Sequence, residues 1–193
     1  MMISQQKQQS TFETFKDQFG YKNVMASPRL MKIVVSSGVG KAKDKNRLKL
    51  VNEKLAQITG QKPSARLARK SIATFKLREG DLVGYQVTLR GQRMYEFLDK
   101  LVHISLPRTR DFRGLNATAI DEMGNMTIGI RENSIFPETS EEDLKDVFGL
   151  SITLVTTAKS KEEAEAFFRH LELPLKAQGA ETEKPKAKRT RTS

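Results

Sequence analysis

Apolar residues recur along this chain in two rhythms, one of three to four residues and one of two, and the changes between them outline the elements. In "TFETFKDQFGY", Phe12, Phe15 and Phe19 fall at helical spacing and Gly20 is a natural helix stop. "RLMKIVVSSGVG" (29–40) has a β-branched centre at Ile33, Val34 and Val35 and dissolves into glycines, as a strand ending in a tight turn does. Leu48, Val51, Leu55 and Ile58 then mark an amphipathic helix, closed by Gly60 with Pro63 beyond it. "KPSARLARK" predicts a short strand. "GYQVTLRG" predicts a better one, because Tyr85, Val87 and Leu89 alternate with Gln86, Thr88 and Arg90. Met94, Phe97, Leu98, Leu101 and Val102 form one face of a helix that stops at Pro107, and "RTRDFRGLNATAIDEMGN" follows as an irregular basic connection. "NMTIGIREN" and "LSITLVTTA" are two more strands, separated by the acidic "SIFPETSEEDLKDVFG". In "SKEEAEAFFRHLEL", Ser160 and Glu163 have capping-box spacing at the start of a last helix.

The order β-α-β-loop-β-α-β-β-α behind an N-terminal helix predicts an α+β fold: a mainly antiparallel sheet with helices packed on one face, plus an extended basic loop. The opposite face of such a sheet is free to meet a partner. From Gln178 the sequence "QGAETEKPKAKRTRTS" lacks any bulky apolar residue, so it cannot bury enough surface to offset its ordering entropy. The division expected is a single domain over 1–177 and a basic, disordered tail over 178–193. That tail reads equally as a solubilising extension and as a contact for nearby phosphates.

Composition narrows the function. At 193 residues and 37% hydrophobic the chain suits one soluble core, and no apolar run approaches the roughly 18 residues of a membrane span. There is no cysteine, hence no disulfide or thiolate metal site, and the N-terminus lacks the layout of a secretory signal, so a cytoplasmic location is expected. The excess of 34 Lys and Arg over 23 Asp and Glu gives a net charge of +11. Such a surplus calls for an anionic partner. Nucleic acid is the commonest, since each phosphate neutralised releases condensed counterions. A basic enzyme and a general RNA-binding module remain open on charge alone.

Candidate chemistry sorts the same way. "GVGK" (38–41) has one residue between its glycines and Ala42 after the lysine, so it lacks the spacing and the hydroxyl of a phosphate-binding loop. His103 and His170 sit on different helices in no metal-ligand spacing and read as structural or surface residues. No cofactor is implied. Between Gln61 and Arg93 eight cations face two acids, with Arg side chains suited to bidentate phosphate contact. On the strand within this stretch Gln86, Thr88 and Arg90 share one face, which predicts an apolar side for the helices and a hydrogen-bonding side for something outside. Few aromatics accompany them, so folded RNA read through shape, phosphates and 2′-hydroxyls fits better than stacked single strands. Glu132 to Val147 carries six acids and one lysine. This run, including Glu138, Glu141, Glu142, Asp143 and Asp146, reads as a solvated loop or as a dock for a basic protein.

Several long blocks then carry a resemblance: "ITGQKPSARLARKSIATFKLREGDLVGYQVTLRGQRMYEFLDKL", "LPRTRDFRGL", "GNMTIGI", "IFPE" and "ITLVTTAKSKEEA". From about Tyr21 to Leu175 the chain resembles the family of universal large-subunit ribosomal protein five in its bacterial form, which binds 5S rRNA in the central protuberance. The resemblance implies a structural, non-enzymatic protein on the large ribosomal subunit. It implies 5S rRNA contacts at Ser36, Gln61, Thr88 and Arg90, and we add the neighbouring Lys62. It also implies that the loop "KSIATFKLREG", with Lys70, Ser71, Thr74, Phe75, Lys76 and Arg78, reaches the P-site tRNA. A bridge to small-subunit protein thirteen, itself basic, is implied too, with Glu138, Glu141, Glu142 and Asp143 as candidate contacts. 23S rRNA and neighbouring central-protuberance proteins complete the implied partners, with no membrane. Four positions depart from the family's pattern: Ser36 and Ser37 stand for Asn-Met, Thr74 for Gly, and Phe148 for an Arg.

Overall fold

The structure, a computed structural model, describes residues 3–40, 45–139 and 147–176. The tail from Gln178 lies outside them, as do Lys41 to Asp44 and the acidic residues Glu141, Glu142, Asp143 and Asp146.

Five strands, β1 (Leu30–Gly38), β2 (Ser64–Leu67), β3 (Leu82–Leu89), β4 (Met126–Ile130) and β5 (Leu150–Thr156), form one antiparallel sheet in the order β2-β3-β1-β5-β4. Among the described residues four α-helices, α1 (Ile3–Phe19), α2 (Lys45–Thr59), α3 (Gln92–Lys100) and α4 (Lys161–His170), complete the expected α+β architecture. The period-two alternation decides which side of the sheet they cover. Ile33 and Val35 on β1, Val87 and Leu89 on β3, Met126 and Ile128 on β4, and Ile152 and Leu154 on β5 are all buried. They join Val51, Leu55 and Ile58 of α2, Met94, Phe97 and Leu98 of α3, and Ala164, Phe167 and Phe168 of α4 in one hydrophobic cluster. Each fully buried Leu, Ile or Phe contributes roughly 1.5–3 kcal/mol by leaving water. The apolar stripes of the helices and of the strands therefore dictate one another.

The first helix is longer than its aromatic pattern predicts. Its leading turns, "ISQQKQQS", carry no apolar stripe and are held by polar contacts instead: the backbone N–H of Ser4 donates to Asp99 at 3.0 Å, and Leu30 N–H donates to the Gln8 side chain at 3.0 Å. Phe15 is buried, packing edge-on against Phe19 and His170. His170 also lies 2.8 Å from the Lys7 carbonyl and 3.2 Å from Ser10 Oγ, so its role is to tie α4 to α1. The third helix passes into a π-helical turn over Leu101–Ser105 before reaching Pro107.

Strands β1 and β3 approach closely at one point. A Cβ on Gly84 would lie 2.7 Å from the Ser37 carbonyl oxygen, so only glycine fits opposite Gly38.

Candidate nucleic-acid interface

Antiparallel register sets residues directly opposite one another on the same face, and on the side away from the helices it builds two rows. One runs Ser64, Gln86, Ser36, Ser151 and Gly129 across all five strands. The next runs Thr88, Val34, Thr153 and Thr127. Short hydroxyl-bearing and amide side chains dominate both. Ser36 Oγ lies 2.9 Å from Ser151 Oγ and Thr127 Oγ1 lies 3.1 Å from Thr153 Oγ1, with either member of each pair able to donate. Hydroxyls of this kind rotate and both donate and accept, which matches 2′-hydroxyls and phosphate oxygens better than it matches any one base edge. Lys32 stands on the same face of β1, Arg66 stands on that face of β2 at the other end of the sheet, opposite Gly84, and exposed Arg90 follows β3 directly.

The structure gathers most of the expected 5S rRNA residues. Ser36 and Thr88 lie on the open face in neighbouring rows, two residues apart along the strands. Gln61 follows the positive-φ Gly60 that ends α2, and its side-chain amide donates to the Thr88 carbonyl at 3.4 Å. Lys62 and Arg90 are exposed at the margin. Ser37, the other member of the departing pair, points inward and donates to the Gly149 carbonyl at 2.7 Å. The Asn-Met replacement thus leaves one hydroxyl outward and one inside. Residues that sequence reasoning missed are Ser151, Thr153 and Thr127. The alternation in "LSITLVTTA" holds the signal, since Ser151 and Thr153 separate Leu150, Ile152 and Leu154, but alternation within one strand does not set its register beside β1.

The loop between β2 and β3 is ordered by its own backbone. Ile72 and Leu77 pair through hydrogen bonds of 3.0 and 3.2 Å around a 3₁₀ turn at Ala73–Phe75, and Lys76 takes a left-handed conformation at φ 51°. Ser71 Oγ accepts from Glu79 N–H at 2.9 Å, and Asp81 accepts from Arg78 N–H at 2.8 Å. Lys70, Thr74, Lys76 and Arg78 are exposed. Phe75 is 70% exposed and Ile72 44%, so these apolar residues do not anchor the loop to the core.

Of the acidic candidates only Glu138 is described. Its carboxylate pairs with Lys100 Nζ at 2.6 Å, and the same ammonium donates to the Ile58 carbonyl at 2.6 Å. Phe148, in the place of the family's Arg, is buried in the core, and its N–H donates to Asn133 Oδ1 at 3.1 Å. Among the described residues no group of His, Cys, Asp or Glu has the arrangement of a metal site.

Comparison with known proteins shows the family. A family model described as "Ribosomal protein L5" matches residues 23–78, and the model of the same family's C-terminal part matches residues 82–175. A protein of an Anaeromyxobacter species, described as large ribosomal subunit protein uL5, is 51% identical over 160 residues, covering 82% of this chain and 89% of the relative. The chain belongs to the uL5 family. Two further uL5 proteins are similar to it: that of Rubrobacter xylanophilus, 51% identical over 87% of this chain and 94% of its own length, and that of Clostridium botulinum, 46% identical over 90% and 97%. The uL5 family consists of structural ribosomal proteins, not enzymes. The residues matched by the two family models include both open-face rows and residues 68–78 of the β2–β3 loop.

Proposed function

We propose that this chain, as a uL5 protein of the large ribosomal subunit in the bacterial cytoplasm, holds 5S rRNA against the open face of its sheet and so helps attach it to the central protuberance. The observation that carries this reading is the pair of hydroxyl and amide rows on a face that no helix covers, flanked by Lys32, Arg66 and Arg90. Ser36, Gln61, Lys62, Thr88 and Arg90 supply the 5S rRNA contacts. The loop with Lys70, Ser71, Thr74, Phe75, Lys76 and Arg78 meets the P-site tRNA, its exposed Phe75 and Ile72 packing on that RNA. Small-subunit protein thirteen docks at Glu138, Glu141, Glu142 and Asp143, where Glu138 must share its carboxylate between Lys100 and the partner. 23S rRNA and neighbouring central-protuberance proteins meet other faces of a single 1–177 unit, with the 178–193 tail as an appended basic segment.

Competition separates a dedicated 5S rRNA protein from a general RNA binder. In filter binding at fixed salt, 5S rRNA is expected to outcompete an unrelated RNA of tRNA size by at least about a hundredfold, on the order of 3 kcal/mol. Equal competition by the two RNAs would replace this reading with that of a general RNA-binding module.

A further inference from the structure

The far edge of the sheet carries a feature that the 5S rRNA reading does not use. A groove of about 550 Å³ runs between β4 and the 106–115 connection. Leu106, Leu115, Ile130 and Ile135 contribute to its lining, so its floor is apolar. Arg110, Arg113, Arg131 and Lys176 surround that floor, opposed by the carboxylates of Asp111 and Glu132. None of the four cations forms an ion pair among the described residues, although both acids stand in the same lining.

The third element of the groove is backbone. Among the described residues, β4 pairs with β5 on one side only, and on the other it makes a single bridge, in which Asp121 N–H donates to the Asn125 carbonyl at 2.8 Å. Backbone groups alternate sides along an antiparallel strand, so Gly129, four residues on from Asn125, also turns its N–H and C=O away from β5. Neither group has a partner among the described residues. An open edge of this kind is a template for one more strand, and β4 carries no proline to block it.

From these three features we infer that the groove is a docking site for an extended acidic segment of a protein partner, added as a strand along β4. Main-chain pairing at Gly129 would fix its register, alternate apolar side chains would enter the floor, and its carboxylates would meet the unpaired guanidinium groups. An RNA strand would use the cations but gain little from the apolar floor or from the strand edge, so the combination favours peptide. This goes beyond the sheet-face reading and does not depend on it.

The test uses the full chain and a fluorescein-labelled peptide of alternating Glu and Val. Binding should perturb the amide resonances of residues 128–131, and Arg110→Gln/Arg113→Gln should weaken it by at least about tenfold. The same peptide N-methylated at alternate residues should lose it, since it cannot pair with the edge. The proposal is overturned if the N-methylated peptide binds as well, if the Arg variant leaves affinity unchanged, or if the resonances that move lie elsewhere. It is equally overturned if a single-stranded RNA of matching charge binds these residues more tightly than the peptide.

Discussion

Glu163 shows how much one side chain can organise. It is the third residue after the N-cap of α4, and its backbone N–H donates to Ser160 Oγ at 3.3 Å as the capping-box spacing predicts. Its carboxylate does not return to the Ser160 N–H. One oxygen accepts from Lys159 N–H at 2.7 Å, and the other accepts from the Tyr21 hydroxyl. The carboxylate thereby ties the start of α4 to the chain that leaves α1. Burial pushes the Tyr21 phenol well above its ordinary range, and the hydrogen bond and negative charge of Glu163 push it further. The neutral phenol is therefore favoured in the folded state. Its stabilisation is complete below the ordinary tyrosine value of about 10 and is lost as pH rises above it. Tyr21→Phe removes the donor while Glu163 stays buried, so thermal unfolding at neutral pH should show a loss of about 1–2 kcal/mol. The alkaline decline should also be shallower in the variant. A variant melting like the wild type at neutral pH would show that the contact contributes nothing.

At the scale of elements, periodicity revealed the main helices and strands around the core, but not Ile120 or Phe136, which reach it from segments without a repeat. α2, α3 and α4 follow their apolar stripes, and β1, β3 and β5 follow their alternation, because burial dictates both. Elements stabilised otherwise were not legible. The leading turns of α1 rest on Ser4 and Gln8, whose partners Asp99 and Leu30 lie far along the chain. No local pattern announces such contacts. The π-helical turn at Leu101–Ser105 was hidden for the opposite reason, since Leu101 and Val102 continue the same apolar stripe whichever helical form they adopt. The candidate interface was half legible: β3 displayed its polar face, whereas Ser151 and Thr153 join it only through the register of β5 on β1. The β2–β3 loop has no periodicity because its order comes from one bridge, Ile72 to Leu77, and a left-handed Lys76. That separation from the sheet rows makes the loop an independent unit. Lys76→Ala/Arg78→Ala should leave 5S rRNA affinity within about twofold, about 0.4 kcal/mol, while weakening tRNA cross-linking in reconstituted ribosomes. Lost 5S rRNA binding in this variant would refute the division of labour between loop and sheet.

For the whole molecule, a net charge of +11 ensures attraction to any RNA, so affinity alone cannot distinguish a site from a surface. What distinguishes the open face is geometry: a rigid antiparallel sheet, covered by helices on one side, presenting hydroxyls in register on the other, with Arg90 at the margin. Contacts made there should be few, positioned and separable from the general field. The direct measurement is a filter-binding titration of 5S rRNA, repeated at several salt concentrations, comparing the wild type with Thr88→Ala/Arg90→Ala after confirming equal melting temperatures. The account predicts a loss of roughly 1–3 kcal/mol at fixed salt. It also predicts a log-log salt slope shallower by about one, for the single phosphate contact removed with Arg90. Unchanged affinity together with an unchanged slope would contradict it and place 5S rRNA on another face of the protein.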